Sequence, residues 1–392
     1  MGDITIPIKT YPYTRKYETK NITKFKYIHY GDIHTGKAKK INEPSKLPSI
    51  TKGNYSTLRN GDVVVADASE DYKGIADAAI LLSTGAFSII AGLHTIAFRP
   101  NRKLVFPMFI YYNLQTSRFK HYGYHVGTGL KVFGISSNLF FDYSAFHPSL
   151  IEQQEISKLI ESLENLLSLQ QRKLEQLKQL KKALLQQLFV GKNNKQPNLR
   201  FKNFDGEWEQ CMLKEIKDVR DGTHNSPKYQ KEGYPLVTSK NLITNGIDLS
   251  NVSFISKYDY QEINKRSKVE TGDILFGMIG TIGNPVMVKK GGFAIKNVAL
   301  IKNGGEVSNG FLLHLLKSAI FSQYIKKENA GGTQKFLGLS VIRSFKFKVP
   351  DKVEQGNIAS IFDTLNRFIT LQQDNLTQLT TLKKYLLQKL FI

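Results

Sequence analysis

Only a few short stretches of the chain carry residue types at spacings that could do chemistry. The segment GDIHTGKA (31–38) nearly spells a phosphate-binding loop, because Gly31 is followed after four residues by Gly36 and Lys37. Magnesium coordination would need Ser or Thr at the next position, which is Ala38, and the following KKINEPSKLP is a poor helix former. We therefore predict no nucleotide site here.

Metal and methyl-transfer chemistry lack their motifs as well. His121 and His125 have the four-residue spacing of metal ligands, but no HExxH glutamate or nearby cysteine joins them, which favours a surface or nucleic-acid-facing role. The segment GNPV (283–286) contains Asn-Pro without the second proline and aromatic residue of an amino-methyltransferase motif. We predict no catalytic, cofactor-binding or metal-binding residue, and so a protein without catalysis of its own.

The charge of the chain points to a polyanionic partner. Its 392 residues contain 55 Lys and Arg against 33 Asp and Glu, a net charge of +22. Neutralising phosphates releases condensed counterions, so nucleic acid is favoured, although ribosome or membrane-surface binding fits the charge too. The single cysteine, Cys211, allows no internal disulfide, and no apolar run approaches a membrane span. We expect a cytoplasmic protein.

The sequence contains two copies of a segment that predicts one long helix. Residues 151–190 align with 353–392 without a gap, 202 positions apart, and 18 of the 40 pairs are identical. Apolar residues recur at spacings of four and three, which predicts a heptad seam that needs a partner helix. The predicted seam residues are Ile156, Ile160, Leu163, Leu167, Leu174, Leu177, Leu184 and Leu188, then Ile358, Phe362, Leu365, Ile369, Leu376, Leu379, Leu386 and Leu390.

The partner of each helix is predicted to be the other copy. An antiparallel pair lets the intervening residues begin and end close together, whereas a parallel pair would force them to span the whole helix. Gln170, Gln372, Lys181 and Lys383 are polar in both copies of the seam. They either set the register of the helix pair or lie at the edge of the seam, with the aliphatic part of each side chain covered. The sequence does not decide between these two interpretations.

The globular parts repeat more faintly. GDVVVADASEDYKG (61–74) echoes GDILFGMIGTIGN (272–284), and GTGLKVFGIS (127–136) echoes GGTQKFLGLS (331–340). Short β-rich runs dominate, with one helix predicted late in each domain, near 106–121 and 309–327. The second domain has a leading segment containing Trp208 for which the first has no recognisable counterpart.

These patterns predict an α+β chain with two mixed, mainly-β domains. The two long helices form an antiparallel coiled coil between them, with pseudo-twofold symmetry. The predicted boundaries are 1–147 and 193–349 for the two domains, and 148–192 and 350–392 for the helices.

Several motifs in this order resemble a known family. LRFKNFDGEWE, DGTHNSP followed by PLVTSKNL, GDILFGMIGTIG, GGTQKFLGLS and VPDKVEQGNIASIFDTL are similar to the specificity subunit of type I restriction–modification enzymes, as are YIHYGDIHT and AGLHTIAFRP in the first half. The resemblance covers nearly the whole chain apart from the short N-terminus. It implies two target-recognition domains, each reading half of a split DNA sequence, and a helical spacer that sets the gap.

The resemblance also implies partners. Two methyltransferase subunits would dock on the chain, and restriction subunits would join in the full enzyme. S-adenosylmethionine, ATP and Mg²⁺ would bind in those partner subunits, making the complex an adenine methyltransferase and an ATP-dependent endonuclease.

Candidate DNA-contacting residues are polar side chains in loops that follow strands. They are His29, Tyr30, Asp32, His34, Lys37, Ser69, Tyr72, Lys73 and Lys131 in the first domain, and His224, Asn225, Ser226, Lys228, Tyr229, Thr238, Ser239, Lys240, Asn241, Thr281, Thr333, Gln334 and Lys335 in the second. For each residue a plain loop role is the alternative. For the whole chain, the alternatives are a stand-alone methyltransferase or nuclease and a coiled-coil scaffold without a DNA role.

Overall fold

The computed structural model describes residues 1–70, 74–129, 132–191, 194–244, 246–328 and 336–391. The chain divides into two compact units, Met1–Gln171 with Asp374–Ile392, and Arg172–Gln373. Each unit therefore contains one globular domain and a piece of both long helices.

The first unit is built on a five-stranded sheet. Its strands are β1 (Thr5–Ile8), β2 (Phe25–Ile28), β3 (Lys40–Ile41), β4 (Val63–Ala66), β5 (Ala68–Ser69), β6 (Ala78–Leu81), β7 (Ser88–Ala91), β8 (Thr95–Pro100) and β9 (Phe133–Gly134). Its helices are α1 (Tyr30–His34), α2 (Pro107–Asn113), α3 (Ser117–Val126) and α4 (Ser137–Phe141), followed by the long α5 (Leu150–Gln187). The main sheet has the order β1-β8-β4-β6-β3, and β2 pairs with β7 in parallel. The run of β-branched residues in β4 is buried on both faces, as a central strand requires.

The second unit repeats this plan. Its strands are β10 (Glu209–Met212), β11 (Val219–Asp221), β12 (Tyr234–Val237), β13 (Leu242–Ile243), β14 (Gly246–Ile247), β15 (Ser253–Ile255), β16 (Ile274–Gly277), β17 (Gly283–Met287), β18 (Ala294–Ile295), β19 (Val298–Ile301) and β20 (Lys346–Val349). Its helices are α6 (Leu213–Ile216), α7 (Lys257–Ser267), α8 (Asn309–Lys317), α9 (Ala319–Glu328), α10 (Leu339–Arg343) and the long α11 (Lys352–Lys389). The order β11-β19-β16-β17 and the parallel pair β12 and β18 match β1-β8-β4-β6 and the parallel pair β2 and β7.

The single helix predicted late in each domain was wrong, because each is two helices. In the first unit α2 ends at Asn113, and the Thr116 side chain then accepts a hydrogen bond from the Phe119 N–H to begin α3. In the second unit Ser318 separates α8 from α9. Capping residues of this type bind backbone groups with their side chains and so interrupt a helix. The apolar periodicity nevertheless continues across the interruption, and the sequence pattern therefore did not reveal it.

A buried Gly-Asp step is repeated in the two sheets. Asp62 accepts two hydrogen bonds from Arg99, at 2.8 and 2.7 Å. At the matching place in the second unit, Asp273 accepts one from Lys302 at 2.7 Å. Both aspartates are almost fully buried, so each carboxylate needs its cation, which lies in β8 for Arg99 and directly after β19 for Lys302.

The long helices pair in antiparallel fashion in each unit. In the first unit Lys383 Nζ lies 2.6 Å from Glu164 Oε1, and in the second Lys181 Nζ lies 2.6 Å from Asn366 Oδ1. Lys181 and Lys383 are equivalent positions of the repeat, and so are Glu164 and Asn366. The two contacts are therefore two copies of one register.

The start of each long helix is tied to the globular part of its unit. Gln153 donates to the Pro148 carbonyl at 2.8 Å and accepts from the Phe106 N–H at 2.8 Å. Its counterpart Gln355 donates to the Pro350 carbonyl at 3.0 Å and accepts from the Ser308 N–H at 2.8 Å. Because both amides are buried, these bonds hold helix and domain at a defined orientation.

The helix ends complete the cores. Phe391 stacks on Phe109 at 4.7 Å in the first unit, and its counterpart Phe189 lies 5.3 Å from Phe311 in the second. Each globular core is thus finished by the end of the helix from the other half of the sequence. This explains why both copies of the helix close on an aromatic residue.

The predicted seam residues lie inward. Eight of the sixteen are buried and the other eight are partly buried. Gln372 is buried, whereas Gln170, Lys181 and Lys383 are partly buried. The helix bounds fall within the predicted segments, and the predicted domain boundaries remain predictions. Within the described ranges, no helix is both long and apolar enough to cross a membrane.

Candidate nucleic-acid interface

The polar loops with most of the candidate residues lie at equivalent places in the two units. In the second unit β12 and β18 are parallel, so the loops after Val237 and Ile295 leave the same edge. In the first unit β2 and β7 are parallel, and the loops after Ile28 and Ala91 do likewise. Loops carried at one edge of a sheet are a common way to hold a binding surface on a rigid support.

The second-unit cluster centres on His224 and Asn297. His224 Nδ1 lies 2.8 Å from Asn297 Oδ1, and His224 Nε2 lies 2.8 Å from Asp221 Oδ2. Ser239 Oγ donates to the Asn297 carbonyl at 3.2 Å. Asn297 adopts a φ of +55°, a left-handed conformation that asparagine tolerates better than most residues. One strained turn therefore joins the loops of Asp221–His224 and Ser239.

A cationic rim adjoins this cluster. Lys296 Nζ donates to Ser226 Oγ at 2.6 Å, and Arg266 forms an ion pair with Asp221. His224 and Ser226 are solvent-exposed, and so are five further candidate residues: Asn225, Lys228, Tyr229, Lys240 and Thr281. This surface presents lysines and an amide, groups that bind phosphates and base edges.

Two other predicted residues of this unit, Thr238 and Asn241, form hydrogen bonds within the protein. Asn241 is buried, and its Oδ1 accepts from the Thr238 N–H at 2.9 Å and from Thr238 Oγ1 at 3.0 Å. Its Nδ2 donates to the carbonyls of Asp248 and Asn251. Thr238 and Asn241 thus shape the loop that displays Lys240, which accounts for them without a ligand.

The first-unit cluster centres on His34. His34 Nε2 lies 2.8 Å from the Ala68 carbonyl oxygen and His34 Nδ1 lies 3.4 Å from Asp77 Oδ2, while Lys120 donates to Asp77 at 2.7 Å. The hydrogen bond to Asp77 is the main reason that the pKa of His34 is raised. Burial would raise the pKa of Asp77, but His34 and Lys120 outweigh it and lower that pKa. The cluster holds a charged, partly buried core behind the loop.

Tyr30 connects this core to the adjacent loop. Its ring lies 5.5 Å from that of His94 and 6.0 Å from that of His34. His94 has a φ of +56° and stands immediately before β8, as Asn297 stands immediately before β19. The same left-handed turn therefore recurs in both units.

His29 and Asp32 have structural partners. The His29 ring accepts from the Gly31 N–H at 3.1 Å and caps α1, and burial, with Arg15 second, lowers the pKa of His29. Asp32 is buried and accepts from Arg15 at 2.8 and 3.1 Å. Ser69 is buried too, whereas Lys37 is exposed. These contacts leave Lys37 as the outward candidate of this loop.

Sequence reasoning missed the residues that join the loops. Arg15, Asp77, His94 and Lys120 in the first unit, and Asp221, Arg266, Lys296 and Asn297 in the second, were not among the candidates. A polar residue between two strand-like runs, as in GLHTI and IKNVA, was an available signal for His94 and Asn297. Of the predicted residues, Tyr72, Lys73, Lys131, Thr333, Gln334 and Lys335 lie outside the described residues.

The stretches that resembled chemical motifs have ordinary structural settings. Tyr30–His34 is a helix where a phosphate loop would need to be open, and Ala38 is fully buried. His121 and His125 are exposed on α3. Among the described residues, His, Cys, Asp and Glu form no group of three or more that could hold a metal ion.

Comparisons with known proteins agree on one family. Residues 205–381 match the family model described as "Type I restriction modification DNA specificity domain". The type I restriction enzyme MjaVIII specificity subunit of Methanocaldococcus jannaschii is 22% identical over 307 residues, which are 74% of this chain and 70% of the relative. The putative MjaX specificity subunit of the same organism is also 22% identical, over 77% of this chain and 71% of the relative.

Solved structures show the same fold. The type I restriction-modification S subunit from M. genitalium matches with a TM-score of 0.59 at 15% identity, covering 100% of this chain and 94% of that chain. The HsdS subunit from Thermoanaerobacter tengcongensis matches with a TM-score of 0.52 at 16% identity, over 100% and 95%. A third structure concerns complex assembly and conformational transition of the type I R-M system. It matches with a TM-score of 0.61 at 16% identity, covering 100% of this chain and 96% of that chain.

Proposed function

Because the chain belongs to the family of type I restriction–modification specificity subunits, we propose that each of its two domains reads one half of a bipartite DNA target. The observation that carries this proposal is the matched pair of loop clusters. Both stand at the ends of a parallel strand pair, and both are organised by a left-handed polar residue, His94 or Asn297. Two equivalent surfaces with different side chains suit two half-sites of different sequence.

The groups that would contact DNA are the outward ones. The exposed candidates are Lys37 in the first unit and Asn225, Lys228, Tyr229, Lys240 and Thr281 in the second. The net charge of +22 supplies the sequence-independent attraction to the phosphates. Asparagine can pair with adenine edges and lysine with guanine, so these residues combine positioning with readout.

The helix pair would set the gap between the half-sites. The contacts Glu164–Lys383 and Lys181–Asn366 repeat one register in the two units. The buried Gln153 and Gln355 tie each helix start to its domain. A spacer must be stiff along its length and rigidly joined to what it spaces, and these contacts support both properties.

The same helices offer matched surfaces to two copies of one partner. Leu166 and Leu169 in the first unit and their repeat counterparts Phe368 and Leu371 in the second are all exposed by 39% or more. Leu180 and Leu382 form a third exposed equivalent pair. Apolar residues exposed at repeated positions support the docking of two methyltransferase subunits, one on each unit.

Methylation and cleavage of DNA would then be catalysed by the partner subunits. In this proposal the methyltransferase subunits bind S-adenosylmethionine, restriction subunits bind ATP and Mg²⁺, and this chain binds DNA without catalysing a reaction. Purified alone, it should neither methylate nor cleave DNA. Methylation by the chain alone would favour the stand-alone enzyme instead.

Methylation sequencing tests the division of labour. A host that carries this chain and a modification subunit should show one split motif. Combining Asn225→Ala with Lys240→Ala should relax the sequence requirement in one half of that motif and leave the other half intact, because both residues lie in the second unit. Loss of specificity in both halves, or in neither, would refute the assignment of one half-site to each domain.

A further inference from the structure

A cationic cavity opens at one end of the main sheet of the first unit. It has a volume of about 610 Å³, a size typical of small-ligand sites. Three arginines line it beside the turn that precedes β4: Arg59, Arg99 and Arg102. Among the described residues of the lining, the only acid is Asp62. The cavity therefore carries a surplus of positive charge.

Asp62 does not neutralise the whole cavity. It is 1% exposed, and besides its two hydrogen bonds from Arg99 it accepts one from the backbone N–H of Arg59 at 2.7 Å. The side chain of Arg59 is exposed and forms no hydrogen bond or ion pair with any described residue. Arg102 is exposed too, and within the described ranges its guanidinium donates only to the Asn60 carbonyl. Two guanidinium groups therefore keep most of their N–H donors for a ligand.

The turn before β4 holds Arg102 at the cavity. Gly61 has a φ of +92°, and a Cβ atom there would lie 2.7 Å from Arg102 Nη2. Because glycine has no side chain, the guanidinium can lie directly against the turn and donate to the Asn60 carbonyl. Asn60 Oδ1 also accepts a hydrogen bond from the Thr84 N–H at 2.8 Å, and Thr84 lines the cavity. One turn thus fixes the arginine and a second part of the lining.

Hydroxyl groups and an apolar wall complete the lining. Thr57, Thr84 and Ser88 line the cavity, and their hydroxyl groups make no hydrogen bond with any described residue. Phe87, which is half-buried, and Pro100 add apolar surface. Guanidinium groups and hydroxyls bind phosphate oxygens, and apolar surface can cover the organic part of a phosphate ester.

The cavity lies at the other end of the sheet from the first-unit cluster around His34. Residues 60–62 precede β4, and Arg99 stands near the end of β8. The cluster meets the sheet just beyond the end of β4, where the Ala68 carbonyl contacts His34, and just before β8, where His94 stands. Because β4 and β8 are antiparallel, these two places lie at opposite ends of the strands. The cavity is therefore separate from the candidate nucleic-acid interface.

The equivalent end of the second unit has a different cavity. It lies beside Lys302, has a volume of about 350 Å³, and is lined by Glu215 and Asp218 as well as by lysines. Lys302 already pairs with Asp273 and Glu270, at 2.7 and 2.9 Å. As far as the chain is described, this lining contains no arginine. We therefore expect no equivalent site in the second unit.

We propose that the first-unit cavity binds a phosphate-bearing ligand of about the size of a nucleotide. Arg59 and Arg102 hold the phosphate oxygens, the hydroxyl groups donate to them, and Phe87 and Pro100 cover the organic part. The phosphate belongs either to a free nucleotide or to a nucleic-acid strand, since both present phosphate oxygens beside a sugar and a base. The site does not depend on the reading of half-sites, so its failure leaves the proposed function untouched.

Adenosine monophosphate, added to the full chain and followed by calorimetry and phosphorus NMR, tests the free-nucleotide source. If the source is a free nucleotide, one molecule should bind per chain with a Kd below about 1 mM. Adenosine lacks the phosphate and inorganic phosphate lacks the apolar part, so each should bind at least about tenfold more weakly. Equally tight binding of inorganic phosphate would indicate a simple anion site and overturn the proposal.

Variants locate the ligand. Arg59→Gln should weaken binding of adenosine monophosphate at least about tenfold, and it should leave the fold intact because this side chain has no partner among the described residues. Arg102→Lys keeps the charge but loses the planar fork, so it should weaken binding as well. The matched control is Lys103→Gln, at an exposed neighbour that does not line the cavity. Equal effects of Arg59→Gln and Lys103→Gln would reveal nonspecific charge attraction and refute the assigned contacts.

A duplex of random sequence tests the strand source. If a strand supplies the phosphate, Arg59→Gln should reduce the slope of log affinity against log salt by about 0.9, and Lys103→Gln should not. An unchanged slope for Arg59→Gln, together with a Kd for adenosine monophosphate above about 1 mM, would overturn the proposal.

The methylated motif separates this site from half-site reading. A host that carries the Arg59→Gln chain and a modification subunit should methylate the same split motif as a host with the parent chain. A changed motif would make Arg59 part of the reading surface and refute a separate site.

Discussion

Lys383 reaches across the first unit's helix pair to Glu164, 219 positions earlier in the chain, with 2.6 Å between Nζ and Oε1. Glu164 also accepts one hydrogen bond from the Tyr112 hydroxyl at 3.0 Å and forms an ion pair with Lys40 at 2.6 Å. Burial would raise the pKa of Glu164, but the two lysines outweigh it and lower that pKa. One carboxylate therefore joins both long helices to the first domain.

Removing that charge should destabilise the first unit. Glu164→Gln leaves Lys383 partly buried without a counter-charge and leaves Lys40 only its longer ion pair with Glu161, at 3.6 Å. We expect a loss of about 2 kcal/mol in the free energy of unfolding. Urea unfolding at pH 7 measures it. Glu155→Gln, in an exposed pair with Lys158, is the matched control and should change stability little. Equal small effects at both positions would contradict the bridging role of Glu164.

The second unit lacks this carboxylate and should gain from it. Asn366 occupies the position of Glu164, and Lys181 bonds to its neutral oxygen while His314 and Lys317 stand nearby. Burial, with the charge of Lys181 second, lowers the pKa of Lys317 to about 8. Asn366→Glu should therefore raise the free energy of unfolding by about 1 kcal/mol and raise the pKa of Lys317.

Two measurements check this gain. Urea unfolding gives the stability, and NMR titration of the Lys317 side chain gives its pKa. Asn366→Gln matches the size of glutamate without its charge and should show neither effect. If Asn366→Glu and Asn366→Gln behave alike, the missing negative charge at this position does not limit the stability of the second unit.

His314 predicts a pH dependence of stability. It is fully buried, stacked on Phe362 at 4.5 Å, and burial, with Lys317 second, lowers its pKa to about 3. The unfolded chain takes up this proton near pH 6.5 and the folded chain does not. The stability is therefore fully present above pH 6.5 and is lost as the pH falls from about 6.5 to 3, by up to about 1.4 kcal/mol per pH unit.

A variant isolates the contribution of His314. His314→Phe keeps a flat ring against Phe362 and removes the titrating group, so its stability should fall less steeply over this range than that of the parent chain. Denaturant unfolding at several pH values between 4 and 7, values that span the histidine titration, measures the difference. His121→Phe, at an exposed position on α3, should keep the parental slope. An unchanged slope for His314→Phe would show that His314 titrates normally.

The salt dependence of DNA binding should report the exposed lysines. If Lys228 and Lys240 each neutralise a phosphate, replacing either by alanine should reduce the slope of log affinity against log salt by about 0.9. Lys158→Ala, on the exposed face of α5, should leave the slope unchanged. Titrations of matched and random duplexes across a salt series provide the slopes. Affinity that does not vary with salt would eliminate a phosphate-binding role for the chain.

Lengthening the helix pair should move the half-sites. One heptad inserted after Gln171 and another after Gln373 preserves the contacts of Lys383 and Lys181 within their units. Seven helical residues add about 10 Å, close to three base pairs, so the preferred gap should change by up to that amount while both half-sites stay the same. Methylation sequencing reads both quantities. An unmoved gap would remove the helices from the spacing role.

The sequence by itself determined the features that depend on local periodicity. The heptad pattern and the 202-residue repeat located both long helices, because a 3.6-residue helix must place those side chains on one stripe. The span of the intervening residues indicated that the two helices pair in antiparallel fashion. The Gly-Asp steps at Asp62 and Asp273 identified matching strands. The ordered motifs were sufficient to indicate the family.

Only the tertiary structure decided which of the candidate polar residues are buried and which are exposed to solvent. His29, Asp32 and Asn241 resembled surface loop residues, yet each is buried against a partner. Asp32 meets Arg15, and Asn241 meets the carbonyls of Asp248 and Asn251, only when the loops have closed, and such contacts leave no local pattern. The joining roles of Asn297 and His94 arise from a backbone turn between strands, and that of Glu164 from two residues far apart in sequence. A periodic pattern encodes the burial of a helix face, whereas the pairing of individual polar groups requires the assembled fold.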